Sequence, residues 1–112
     1  MKQYAMTLNL KDDAALIEKY KAHHRAVWPE VLQSLKAVGI LEMKIYLLGR
    51  RMFMVMDTVD EFDPDVDFAR YLTLDARCPE WEELMGEFQE KVAEAQPEEK
   101  WARMECVFDL NQ

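Results

Sequence analysis

Tyr20 and His24 are the residues in this chain best suited to moving a proton. Both lie in the segment Tyr20-Lys-Ala-His-His-Arg-Ala-Val-Trp-Pro-Glu30, which also holds the second of the chain's two histidines, His23. Histidine is the side chain whose ordinary pKa, about 6.5, lies near neutrality, so an imidazole can act as base in one step and acid in the next. On a helix, positions i and i+4 share a face, which sets the Tyr20 phenol against the His24 imidazole. Ile17 and Trp28 align with His24 on the apolar-leaning side. His23 points about 100° away and reads as a polar side chain on the helix surface. A histidine on an apolar face is either a hydrogen-bonded structural group or an acid/base, and spacing alone leaves both open.

Other chemistries find less support. Two adjacent helical histidines diverge too far to share one ion, and Cys78 and Cys106 are distant from each other, so no metal site is expected. The chain has only three glycines and no glycine-rich phosphate loop, so no nucleotide cradle is expected. Trp81 and Trp101 admit two readings. One is core packing; the other is stacking of an indole face on the C–H face of a sugar ring, with Glu82 accepting hydrogen bonds from sugar hydroxyls. Glu80, Glu82 and Glu83 equally suit the first turn of a helix, where negative charge meets the positive end of the dipole.

The elements that must position these groups follow from periodicity. Residues 2–10 alternate with Tyr4, Met6, Leu8 and Leu10 on one face, which predicts a half-buried strand. Asp12 or Asp13 can cap the helix that carries Leu16, Ile17, Tyr20, His24 and Val27. Pro29 starts a second helical stretch through Val38, and Gly39 stops it. Residues 40–48 alternate again, with Leu41, Met43, Ile45 and Leu47 on one side. Gly49-Arg50-Arg51 turns the chain into a strand from Met52 to Thr58. An acidic exposed loop, Asp57 to Asp67, leads to a short helix at Phe68–Leu72. Pro79 opens a longer helix through about Ala95, and Trp101–Leu110 alternate as a last strand. The order is that of a split β-α-β, ferredoxin-like α+β sandwich with helices on one face of the sheet. Whichever of Met52, Met54, Met56 or Phe53, Val55 faces away from the helices needs cover, and a second copy of the chain is the simplest cover, so a homodimer is expected.

At 112 residues, with half of them hydrophobic, the chain reads as one domain spanning residues 1–112. A formal net charge of −8 disfavours nucleic acid and anionic membranes and leaves neutral or cationic small molecules as natural ligands. The N-terminal residues do not read as a signal peptide, and no run approaches the roughly 20 apolar residues that span a bilayer. Cys78 and Cys106 admit either a bridge or free thiols; their distance in sequence favours free thiols in a reducing compartment, so a cytoplasmic location is expected.

Tyr20-x-x-x-His24 followed by Val27-Trp28-Pro29-Glu30 resembles the signature of the L-rhamnose mutarotase family. Ile40–Leu47, Cys78-x-x-Trp81, the hairpin Met52–Met56 and a final strand with Val107-Phe108 match it as well, so the resemblance covers nearly the whole chain. It implies a dimeric ferredoxin-like isomerase that interconverts the α and β anomers of a 6-deoxyhexose without metal or cofactor. His24 matches the family's acid/base histidine, Tyr20 its helix tyrosine, and Trp81 the first of its sugar-binding tryptophans. Met43 and Glu82 depart from the rhamnose-type pattern, which carries tyrosine and tryptophan there, and look closer to the L-fucose-type branch. The fold alone admits a cofactor-free oxygenase or lactone isomerase, or a non-enzymatic sugar-binding domain, as alternatives.

Overall fold

The computed structural model describes residues 1–111; Gln112, the last residue of the expected domain, lies outside the described residues. The chain runs β1 (Lys2–Leu10), α1 (Ala14–His24), α2 (Pro29–Ala37), β2 (Ile40–Leu48), β3 (Arg51–Thr58), α3 (Pro64–Leu74), α4 (Arg77–Gly86), β4 (Gln89–Glu90) and β5 (Ala102–Arg103). The strands form one antiparallel sheet in the order β2-β3-β1-β4, and β5 also pairs with β1. This is the split β-α-β order expected of a ferredoxin-like α+β fold.

Local chemistry explains the first half closely. Asp13 caps α1 by accepting from the backbone N–H groups of Ala15 and Leu16. Pro29 occupies the first turn of α2, where its missing N–H costs nothing. Gly39 ends that helix at a φ of +103°, a conformation that side chains disfavour. The hairpin between β2 and β3 turns on Gly49 and Arg50, with Leu48 opposite Arg51 and Gly49 at a φ of +62°.

On the helix side of the sheet, Met6, Leu8 and Leu10 of β1 and Met52, Met54 and Met56 of β3 are all buried. They join Tyr20, Val31, Tyr71, Cys78, Trp81, Met85 and Phe88 in one apolar core. Phe53 and Val55 are therefore the pair on the outer face. Leu41 departs from the expected alternation: a bulge between Ile40 and Glu42 inserts it as an extra residue, so Ile40 turns inward and Leu41 is 58% exposed.

The second half differs from its sequence expectation in three places. The acidic segment is shorter as a loop, because Asp63 caps a helix beginning at Pro64, four residues before the expected start at Phe68. Phe62, within that loop, is fully buried against Phe68. The helix over Trp81 starts at Arg77 and ends at Gly86 rather than near Ala95. Phe88 and Val92 still reach the core, but from the turn and from the segment beyond β4. Beyond Gly86 the backbone is claimed by β1 instead: Lys11 donates its N–H to the Phe88 carbonyl, and Gln89 pairs with Leu10. Finally, the expected strand Trp101–Leu110 is ordered as strand only at Ala102–Arg103. Met104 donates one more backbone bond to Ala5, after which β1 has few residues left to pair. Val107, Phe108 and Leu110 stand exposed.

Candidate functional site

A cavity of about 410 Å³ lies between the helices and the inner face of β2 and β3. Tyr20, His24, Trp81 and Glu82, the four residues singled out by sequence, all line it. Helix α1 supplies the first two and α4 the others. The remainder of the wall is mostly apolar, with Val31, Met43, Ile45, Met52, Met54 and Met85 among its residues.

His24 lies beside Tyr20, with ring centroids 4.4 Å apart. Its Nδ1 is 3.1 Å from the Tyr20 carbonyl oxygen. A carbonyl can only accept, so Nδ1 carries the hydrogen and donates, and the neutral ring keeps Nε2 as its free basic nitrogen. Burial pulls the His24 pKa below its ordinary value; the Tyr20 carbonyl opposes that shift and neighbouring His23 adds to it. The imidazole is thus held neutral and in one tautomer, the state required of a general base.

Tyr20 is buried, and burial pushes its phenol up to about 12; a hydrogen bond from Gln89 opposes the shift and the charge of Glu82 adds to it. The phenol therefore keeps its proton at neutral pH. Gln89 Nε2 donates to Tyr20 Oη over 3.3 Å.

Trp81 is only 5% exposed and is wedged between rings: its centroid is 5.2 Å from Trp28 and 5.4 Å from His24, both edge-on. Arg77 sits over Trp28, 3.9 Å from the ring centre, closing the stack on the outside. Trp81 therefore packs in the core, the first of its two readings, and also contributes to the cavity wall. Half-buried Trp101 lines the same cavity and also borders a second hollow beside α3.

Glu82 lies at the rim with its side chain 38% exposed and Lys100 Nζ 3.9 Å away. Burial of the inner part of the carboxyl raises its pKa, and Lys100 and Tyr71 oppose that rise. The opposing cation and the open rim leave Glu82 available as a hydrogen-bond acceptor. His23 departs from its surface reading: it is half-buried, its ring 5.6 Å from Phe88 and 6.4 Å from Trp81. It packs behind Trp81 and does not line the cavity.

Sequence reasoning missed Gln89 and Lys100. Gln89 falls inside the helix expected from Pro79 to about Ala95, which ends before it, and Lys100 falls between that helix and the last expected strand, so neither has a direction in the sequence. Among the described residues no cluster of three His, Cys, Asp or Glu side chains is arranged to hold a metal ion.

Comparison with known proteins places this geometry in context. The family model for L-rhamnose mutarotase matches residues 3–110. An L-fucose mutarotase of Xanthomonas campestris is 40% identical over the whole chain and 90% of its own length. A UPF0734 protein of Dictyostelium discoideum is 43% identical over 98% of this chain and 90% of its own length. Among solved structures, the L-rhamnose mutarotase of Formosa agariphila superposes with a TM-score of 0.71 at 19% identity, covering 98% of this chain and 99% of its own; that likeness concerns the fold.

Proposed function

Because this chain belongs to the L-rhamnose mutarotase family of sugar isomerases, we propose that it interconverts the α and β anomers of a 6-deoxyhexose, with L-fucose preferred over L-rhamnose. The observation that carries the mechanism is the neutral His24 imidazole, tied through Nδ1 and lining the same cavity as the Tyr20 phenol. Full-length similarity to an L-fucose mutarotase supports the choice of sugar.

In the proposed reaction, His24 Nε2 removes the proton from the anomeric hydroxyl. The oxygen's electrons form the aldehyde C=O as the bond from C1 to the ring oxygen breaks, and the ring oxygen takes up a proton. Rotation about C1–C2 and reclosure on the other face of the carbonyl give the second anomer. Tyr20 assists as a hydroxyl, Trp81 forms part of the apolar wall, and Glu82 accepts a hydrogen bond from a sugar hydroxyl. L-Rhamnose has its axial hydroxyl at C2 and L-fucose at C4. A carboxylate at position 82 gives one sugar's hydroxyl a partner that the other lacks, and leaving a buried hydroxyl unpaired is costly.

Saturation-transfer NMR between the two anomeric protons tests the reading. The protein should accelerate exchange of L-fucose, and of L-rhamnose more slowly. Acid–base catalysis is typically worth about 10²–10⁴-fold; His24→Ala should lose that acceleration while keeping the circular dichroism of the parent. Unchanged exchange in His24→Ala would refute the role of the imidazole, and equal turnover of both sugars would refute the preference.

We also infer a homodimer packed through the outer sheet face. Tyr46 and Phe53 pack against each other there, with Val55 on the same face, and Val107, Phe108 and Leu110 are further exposed apolar side chains. The free thiols of Cys78 and Cys106 fit the reducing cytoplasm.

A further inference from the structure

Gln89 has its backbone fixed by pairing with Leu10 in β1, while its side chain crosses to helix α1. There its Nε2 donates to Tyr20 Oη, and its Oε1 is buried with no hydrogen-bond partner. An amide that buries an unpaired oxygen is less stable than an apolar side chain of equal size, so filling space does not account for this residue. Its single bond does have a chemical consequence. A phenol oxygen that accepts from Gln89 keeps its own O–H free to donate elsewhere. The reversed arrangement, with the amide oxygen accepting from the phenol, would consume that proton. Lining the cavity beside Tyr20 and His24, Gln89 is in position to decide between the two.

We propose that Gln89 is a positioning residue that turns Tyr20 into the proton donor for the ring oxygen of the bound sugar, complementing His24 as the base at the anomeric hydroxyl. The assignment rests on the mutarotase reading above. As the bond from C1 to the ring oxygen breaks, the ring oxygen takes the Tyr20 proton and Nε2 of His24 takes the proton of the anomeric hydroxyl. A phenolate and an imidazolium are left side by side. Reclosure returns both protons, so charge and atoms balance over the cycle. The Gln89 N–H stabilises the phenolate most strongly when its charge is greatest, which lowers the barrier more than it tightens binding. A phenol held at about 12 stays protonated at neutral pH and so has a proton to give.

Two substitutions of nearly equal shape separate donor from filler. Gln89→Met removes the bond, and Gln89→Glu reverses it at neutral pH, because a carboxylate only accepts. Both variants should lose tenfold or more in kcat for anomer exchange, with KM within about twofold of the parent. On acidification the Gln89→Glu variant should recover relative to Gln89→Met, since a protonated carboxyl can donate to the phenol again. Tyr20→Phe should lose as much as Gln89→Met, and the double variant should be no worse than Tyr20→Phe alone; this arm stands even if one Gln89 variant folds poorly. Parent-like kcat in Gln89→Glu at neutral pH, a constant ratio of the two Gln89 variants at every pH, or additive losses in the double variant would overturn the proposal. A parent protein that accelerates exchange of neither sugar sinks the mutarotase reading and this proposal with it, whereas an active parent with an indifferent position 89 sinks this proposal alone.

Discussion

His24 combines two constraints that pull its titration in opposite directions, and the larger one decides its chemistry. Burial disfavours the imidazolium more than the Tyr20 carbonyl favours it, so the ring titrates below its ordinary value. The neutral form, which the proposed role of His24 requires, should therefore persist into mildly acid solution, and the acid limb of the pH–rate profile should fall below pH 6.5. An acid limb at or above 6.5 would contradict the burial argument. Stability follows the same sign: the unfolded chain protonates its histidine first as the pH falls, so the contribution of His24 is complete above about 6.5 and is lost as the pH drops through the lower native pKa. This residue pair was legible in the sequence because a four-residue spacing on a helix is a local property. Trp81 and Glu82 were legible as candidates from their residue types and their adjacency on one helix. That α1 and α4 bring all four to one cavity is a tertiary fact, which spacing within either helix does not contain.

At the scale of elements, one glycine shows how tightly a turn can be specified. Gly39 ends α2 at a φ of +103°, and a Cβ built there would stand 2.7 Å from Val59 Cγ2. The Gly39 carbonyl also accepts from the Val59 N–H, so the two segments cannot drift apart to relieve the clash. Gly39→Ala should cost about 2 kcal/mol or more, from left-handed strain and overpacking together. Urea unfolding measures it, and an unmoved midpoint would show that the turn yields easily. Gly39, Pro29 and Asp13 were readable because each acts through its own backbone. The end of α4 was not, because Phe88 and Val92 continue a helical spacing from Trp81 and Met85 while their backbone is taken up by and beyond the sheet edge. Strand pairing between residues some 80 positions apart outweighed local periodicity. Gln89 was lost with that boundary. Leu41 was lost to a bulge, since one inserted residue reverses the face of everything on its side.

Over the whole molecule, the helices cover one side of the sheet and leave the other to Tyr46, Phe53 and Val55. If a second copy covers that face, Phe53→Glu should shift the protein to monomer in sedimentation velocity at micromolar concentration while leaving the fold intact. A parent that is already monomeric there would dismiss the dimer. The alternation of Trp101–Leu110 is strand-like, yet β1 offers it few partners, which is why a strand expected from pattern is mostly absent within one chain. The cavity wall has a different consequence. Met43, Met52, Met54 and Met85 bring four thioethers to one small space. Such unbranched side chains re-pack readily, so the apolar lining can adapt its shape to what enters, and on the proposed reading discrimination between sugars falls to the few polar side chains of the wall. The same sulfurs make the chamber perishable: peroxide would convert them to sulfoxides, and apolar thioethers in the wall would become polar groups.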